Sequence, residues 1–432
     1  MPTKLLLTIM SLALGLAAAG HTQDNKAPAT QPAAPLVIPP AKNTAEALQR
    51  WRDMKFGIFI HWGPGVISGQ EISWSRKRGK RGNIPAAEYD NLYKKFSAEK
   101  FNADEWAGII ADSGARYMVF VTKHHDGFCN WDTAITDYKV TSKDCPLGRD
   151  VAKELAAAAA KKGLMLGWYF SQRDWHDGDF ENQNYGALAV KIRKQIEELC
   201  TKYGPVGVIW FDAKGPFPAK YWDAKNLFNR IYELQPACLI NDRCGLPGDF
   251  SSAEYKVGAF DRRRPWESCV PIGAGWSWKP DAKPLSFEAV MNLLIHCAGS
   301  DGNLLLNVGP HPDGHIVDAE VQVLRQVGRW LGQYGKSIYG TRGGPYRPGP
   351  WGAATCRDKT IYLHVQKWPE DGKIALGPLA HKVVASSALT GGKVSVEQTA
   401  SGVTVALAKE DQKPVDTVIE LTLDGPAFDA AK

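Results

Sequence analysis

The sequence predicts an α/β protein: a (β/α)8-like barrel, degenerate in its second half, followed by a C-terminal antiparallel β-sandwich. Three observations carry that reading. Short, unalternating apolar runs recur between helical segments from Trp51 to about residue 340, as parallel strands covered on both faces do. Several of these runs end in His, Asp, Asn or Arg, and α/β barrels assemble their sites from polar groups at the C-terminal tips of their strands. From about Tyr346 the pattern changes to short strands with turn residues between them, as in a small antiparallel sandwich.

Phe56–His61 is the first predicted strand, and a helix near Ala103–Ser113 follows, opened by Asn102 or Asp104. Tyr117–Thr122 is the second strand, running into Lys123-His-His-Asp126. The Ala-rich helix Val151–Lys162 stops at Gly163, a residue suited to a helix C-terminus. Leu164–Phe170 is the third strand, and a long helix over Tyr185–Tyr203 leads to the fourth, Val208–Phe211, which ends at Asp212. A helix at Tyr221–Leu234 precedes a fifth strand, Cys238–Ile240, ending in Asn241-Asp-Arg243. Residues 244–284, rich in Gly, Pro and Trp, read as a long rim loop with room for one short strand. Helices at Phe287–Ala298 and Val317–Tyr334 flank a strand at Asn303–Val308. About six strands are countable before residue 340, short of the eight of a full barrel. Lys359–Val365, Val394–Val396, Val403–Leu407 and Thr417–Leu423 are the strands expected of the sandwich.

The 432 residues, 44% hydrophobic, suffice for one large core and a smaller domain. The expected organisation is a signal peptide over 1–20, a linker over 21–43, a catalytic barrel over 44–342 and a sandwich over 343–432. Lys4, the apolar stretch Leu5–Leu16 and the small residues Ala17–Ala19 have the order of a secretory signal. The stretch is short for a bilayer span and no Cys follows it. An exported protein without a membrane anchor, periplasmic or extracellular, is therefore expected. The net charge of +6 is dispersed apart from Arg76-Lys-Arg-Gly-Lys-Arg81; with no nucleic-acid-binding motif beside it, that run reads as a solvated loop. The eight cysteines show neither a small-domain disulfide framework nor metal-ligand spacing. Homo-oligomerisation is left open.

The strand tips collect His61, His124, His125, Tyr169, Trp210, Asp212 and Arg243. Asp212 is not well placed as a helix cap, because Gly215, Pro216 and Pro218 intervene before the next helical pattern. Trp is abundant, with 15 residues, and many fall in loops beside His, Asp and Arg, among them Trp62, Trp74, Trp131, Trp175, Trp266, Trp276 and Trp278. Flat aromatics among polar groups suit the apolar faces of sugar rings. Glycoside hydrolysis needs a second carboxyl group, and Glu71, Glu254 and Glu267 are candidates. Trp266 beside Glu267 and Tyr255 beside Glu254 both offer apolar surroundings that would raise an acid's pKa. A metal centre is not expected, because adjacent histidines on an extended chain point to opposite faces; no cofactor is expected either.

Lys55-Phe-Gly-Ile-Phe-Ile-His-Trp-Gly63, Lys123-His-His-Asp-Gly-Phe128, Gly167-Trp-Tyr-Phe-Ser171, Trp210-Phe-Asp212, Asn241-Asp-Arg243 and Leu304-Leu-Leu-Asn-Val-Gly-Pro310 occur in that order. In these segments the chain resembles the family 29 glycoside hydrolases, the α-L-fucosidases. The resemblance implies a retaining exo-glycosidase acting on terminal α-L-fucose of glycans, with Asp212 as nucleophile. It implies a fucose-binding set of His61, His124, His125, Tyr169, Trp210 and Arg243, joined by Glu71 and Trp74, with Trp278 added from the loop aromatics. For the acid/base it leaves Glu267, narrowly preferred, and Glu254.

Overall fold

The computed structural model describes residues 44–212 and 217–431; the predicted signal peptide and linker lie outside the described residues. Eight strands form one sheet: β1 (Phe56–Ile60), β2 (Tyr117–Lys123), β3 (Met165–Phe170), β4 (Val208–Phe211), β5 (Leu239–Ile240), β6 (Ser251–Glu254), β7 (Trp266–Pro271) and β8 (Asn303–Val308). Their spatial order is β5-β4-β3-β2-β1-β8-β7-β6, and every neighbouring pair is parallel. The edge strands share no ladder among the described residues. A parallel bridge between Asn241 and Phe250 brings their ends together.

The strand count corrects the expectation of six. Both further strands, β6 and β7, lie in the stretch read as a rim loop. Ser251–Glu254 has almost no apolar content, and Trp266–Pro271 mixes Glu and Ser with its apolar residues, so neither shows a period. Irregularity in the second half does hold, since among the described residues no helix separates β5 from β6 or β6 from β7.

The remaining connections carry helices whose ends follow side-chain chemistry. Asn102 accepts the Glu105 amide, Asp150 that of Lys153 and Ser286 that of Ala289, each satisfying a donor that the helix start leaves open. Gly163 ends its helix at φ 67°, a left-handed conformation that glycine adopts without strain. Alternation along the strands splits the core in two. Phe59, Tyr117, Val119, Val121, Tyr169, Val208, Trp210 and Leu305 fill the interior of the curled sheet, while Ile58, Ile60, Phe120, Trp168, Phe170 and Ile209 meet the helices outside. Both faces are therefore apolar below the rim, and polar groups concentrate at the strand tips. No helix among the described residues is long and apolar enough to cross a membrane. All eight cysteines are buried free thiols.

The C-terminal strands are β9 (Arg342–Gly343), β10 (Gly352–Arg357), β11 (Thr360–Val365), β12 (Lys373–Leu376), β13 (Val383–Ala388), β14 (Ser395–Thr399), β15 (Gly402–Ala406) and β16 (Thr417–Leu423). They form an antiparallel five-stranded sheet, β13-β16-β11-β10-β9, and a three-stranded one, β12-β15-β14. Ile361, Leu363, Ile419 and Leu421 of the first sheet share a core with Ile374, Val403 and Val405 of the second, which is sandwich packing.

Candidate active site

Asp212 leaves the end of β4 with its backbone amide donating to Gln172 Oε1 at 3.1 Å. Three groups hold its carboxylate. Arg243 donates to Oδ1 from Nε at 3.0 Å and from Nη2 at 2.8 Å, the Tyr169 hydroxyl donates to Oδ2 at 3.0 Å, and His125 Nε2 lies 3.6 Å from Oδ2. Burial pushes the Asp212 carboxyl up, but Arg243, then His125 and Tyr169, outweigh it and hold the pKa below the ordinary value. The third Arg243 donor, Nη1, reaches Glu254 Oε2 at 2.8 Å. One guanidinium thus grips two carboxylates, one from the tip of β4 and one from the tip of β6.

Three histidines face the same space, each fixed through Nδ1: His61 to Asn307 Oδ1, His124 to Ser73 Oγ and His125 to Ser171 Oγ, all at 2.6 Å. Asn307 donates through Nδ2 to the Trp276 carbonyl at 2.7 Å, so its Oδ1 faces His61 as an acceptor. That places the His61 proton on Nδ1 and leaves Nε2 as an acceptor. Burial lowers the His61 and His125 pKa values to about 4, partly opposed by the Asn307 bond and by Asp212 respectively. Burial also drives His124 well below its ordinary value, helped by the neighbouring histidines. All three are neutral near pH 7. The expectation that His124 and His125 diverge is corrected: β2 ends at Lys123, the chain turns, and the two rings sit 4.3 Å apart. His124, His125 and Asp212 each offer a ligand atom within 4.8 Å of the others, yet the Arg243 cation already occupies the carboxylate.

These residues line a cavity of about 730 Å³, together with Trp74, Trp210 and Glu254. Three expected residues are not brought to it. Glu71 accepts the Ser277 amide at 3.0 Å and pairs with Lys279 at 3.0 Å, tying its own loop to the one that carries Trp276. Trp278 packs its ring on His311, 4.6 Å between centroids. Glu267 is buried inside the sheet, where Tyr117 Oη donates to it at 2.5 Å and Trp210 Nε1 at 3.1 Å. The β6–β7 register pairs Glu254 with Cys269 and Ser252 with Glu267. Glu267 therefore lies two residues, roughly 6.6 Å, below the level of Glu254.

A family model described as Alpha-L-fucosidase matches residues 27–336. The chain belongs to the alpha-L-fucosidase family. The plasma alpha-L-fucosidase of Rattus norvegicus is 31% identical over 369 residues, covering 76% of this chain and 80% of that protein. Isoenzyme 1 of Paenibacillus thiaminolyticus, also an alpha-L-fucosidase, superposes with a TM-score of 0.81 at 30% identity, covering 88% of this chain and 99% of its own. A family 29 alpha-L-fucosidase of Bacteroides thetaiotaomicron, solved as a trapped covalent intermediate with 2-fluoro-fucosyl fluoride, superposes with a TM-score of 0.78 at 26% identity over 87% of this chain and 96% of its own. The protein is thus a glycosidase that releases fucose from fucosylated glycans.

Several cavity residues of this fucosidase escaped the sequence reading. Trp276 sits 5.1 Å from His61 and 5.0 Å from Tyr255, centroid to centroid. Trp175 packs on Trp74 at 5.2 Å. Both were visible as loop tryptophans, but nothing in Gly-Trp-Ser-Trp separates Trp276 from Trp278. The basic run is solvated from Lys77 to Arg81, as expected. The sequence reading missed that exposed Arg78 and Arg81, with buried Arg76, also line the cavity; Arg76 forks onto Asp90 at 2.6 and 2.7 Å.

Proposed function

We propose that this alpha-L-fucosidase works by double displacement, with Asp212 as nucleophile and Glu254 as acid/base, and that it is an exported enzyme. The observation that carries the mechanism is the single Arg243 guanidinium bonded to both carboxylates. Two donors of one planar fork keep those groups within several ångströms of each other on the rim, as a pair acting on one glycosidic bond must be. The covalent intermediate trapped in the Bacteroides relative supports the same chemistry here. Export rests on the charged, apolar and small-residue order of the first 20 residues.

In the first step ionised Asp212 attacks the anomeric carbon while Glu254 delivers a proton to the departing oxygen. In the second Glu254 takes a proton from water, which releases fucose from Asp212. The neutral histidines bind sugar hydroxyls without competing for the proton, and Trp74 and Trp276 wall the ring. Glu267 is not the acid in this scheme. It works through Trp210, whose indole it orients beneath the cavity.

Asp212→Ala should lose nearly all turnover and regain part of it with azide, giving fucosyl azide of opposite anomeric configuration. Glu254→Ala should lose about 10²–10⁴-fold on a natural fucosyl-sugar, whose leaving group needs protonation, and far less in the glycosylation step of an activated aryl fucoside. Glu267→Ala should depress both substrates alike. Wild-type turnover in Asp212→Ala would end the proposal, and the selective pattern appearing in Glu267→Ala would reassign the acid.

A further inference from the structure

The cavity changes character with depth. Its floor is buried: His61, His124, His125, Tyr169 and Trp210 are each at most 5% exposed. They surround Asp212 closely enough to hold one sugar ring. The mouth is different. Arg78, Arg81 and Glu181 are exposed and Arg173 half-buried, and all four line the opening. If Asp212 and Glu254 mark the reacting bond, as proposed above, a ring held on the floor directs its leaving group toward this mouth.

The charge of the mouth is positive. Arg243 is committed to Asp212 and Glu254, and Arg76 to Asp90. Of the two exposed arginines, Arg78 pairs with Glu181 across 3.0 Å, with side chains 44% and 46% exposed. Pairs so wet hold weakly against a competing anion. Arg173 adds a third cation behind them. Burial lowers its pKa and Asp212 opposes that, while the Arg78 guanidinium adds to the lowering. Aromatic faces hold the two exposed cations in place. Arg78 lies 5.6 Å over Trp175 and 5.5 Å over Phe180, and Arg81 lies 5.6 Å over Trp74. Trp74 in turn packs on His125 at 5.3 Å, and His125 touches Asp212. Planar guanidinium groups fixed on aromatic shelves are suited to forked recognition of oxyanions.

We propose that the glycan attached to fucose carries an anionic oxygen group, a sulfate ester or a carboxylate, and that Arg78 and Arg81 receive it, with Arg173 adding to the attracting field. Charge on the leaving sugar thereby becomes the specificity determinant of this fucosidase. The arginines act on the aglycone, not on the reacting atoms.

Three fucosyl disaccharides of one linkage would test this: a neutral hexose aglycone, its sulfate ester and the corresponding uronic acid. Each would be assayed with the full-length enzyme at low and high ionic strength. At low salt kcat/KM for at least one anionic aglycone should exceed the neutral one by about 10- to 100-fold, the contribution of one charged hydrogen bond. The sulfate and carboxylate arms separate the two sources of charge. The advantage should shrink as salt shortens the screening length from about 30 Å to a few ångströms. In R78Q/R81Q the anionic-to-neutral ratio should fall toward one. A ratio near one for both anions in the unmodified enzyme, unmoved by salt, overturns the inference, and that result does not depend on the variant folding. The configuration of the first-formed fucose is read in the same assay. Inversion would sink the double-displacement reading and this one with it, whereas retention with a flat charge ratio sinks this inference alone.

Discussion

Replacing Arg243 by glutamine tests how the site keeps Asp212, the proposed nucleophile, ionised. Burial pushes the Asp212 carboxyl up, and Arg243 is the largest influence bringing it down. The substituted side chain would keep a planar polar end, an amide, but lose the charge. A charged hydrogen bond contributes about 1.5–3 kcal/mol, and Arg243 makes two to the same oxygen at 3.0 and 2.8 Å. Because they share one acceptor, they are counted together as a single such bond. The Tyr169 and His125 contacts remain in the variant. At ~1.4 kcal/mol per pH unit, the acidic limb of kcat/KM should then move by about one to two pH units. The sign follows from the proposed chemistry: there Asp212 must be ionised to attack, so the limb moves to higher pH and activity is lost first on the acid side. The assay is a pH profile of kcat/KM on an activated aryl fucoside, where leaving-group protonation matters least and the limb reports the free enzyme's nucleophile. A rate that drops uniformly, with the acidic limb unmoved, refutes the reasoning.

Exhaustive chelation should leave turnover unchanged, because His124 and His125 are held by serine hydroxyls and Asp212 by a guanidinium; loss restored by zinc or manganese would make these residues metal ligands. Glu267 gives a stability prediction of definite sign. Burial pushes its pKa up to about 7, against the Tyr117 and Trp210 bonds, so the stability it contributes is full below about pH 4.3, the ordinary Glu value, and is lost as pH rises toward 7. Glu267→Gln should flatten the fall in Tm across that window, and an unchanged slope in thermal melts would show that Glu267 does not titrate there.

The first four strands were legible because each is an apolar run buried on both faces, and their tips delivered His61, Tyr169, Trp210 and Asp212 to one cavity. The same logic failed where the strands carry no such pattern. Missing β6 and β7 turned residues 244–284 into a loop, and a loop puts Glu254 and Glu267 equally on the rim. Glu267 does have the apolar surroundings expected of an acid, and burial does raise its pKa. What the sequence lacked was depth: the β6–β7 register sets Glu267 two residues below Glu254, under Trp210. A raised pKa marks burial, and burial here belongs to the barrel interior. The histidine pair failed for a related reason. Opposite faces hold only along an extended chain, and the backbone turns immediately after Lys123.

In the proposed double displacement, the shared guanidinium serves two acidic groups through a cycle that moves charge between them. Before attack Asp212 is a carboxylate, and in the proposed cycle Glu254 carries the proton. Arg243 then has one full negative partner, reached by Nε and Nη2, and one neutral partner on Nη1. Attack converts Asp212 to an uncharged ester, and in the same step Glu254 gives up its proton. Arg243 again has one negative partner, now on Nη1. Hydrolysis of the ester restores the first arrangement. In that cycle the cation has at least one carboxylate partner at every stage, and is never left buried between two neutral groups without a counter-charge. Its side chain, 11% exposed, need not move, since a different part of one rigid fork takes the load in each half of the cycle. A lysine could not do this, because a single ammonium on a flexible stem would have to swing between Asp212 and Glu254 at each step.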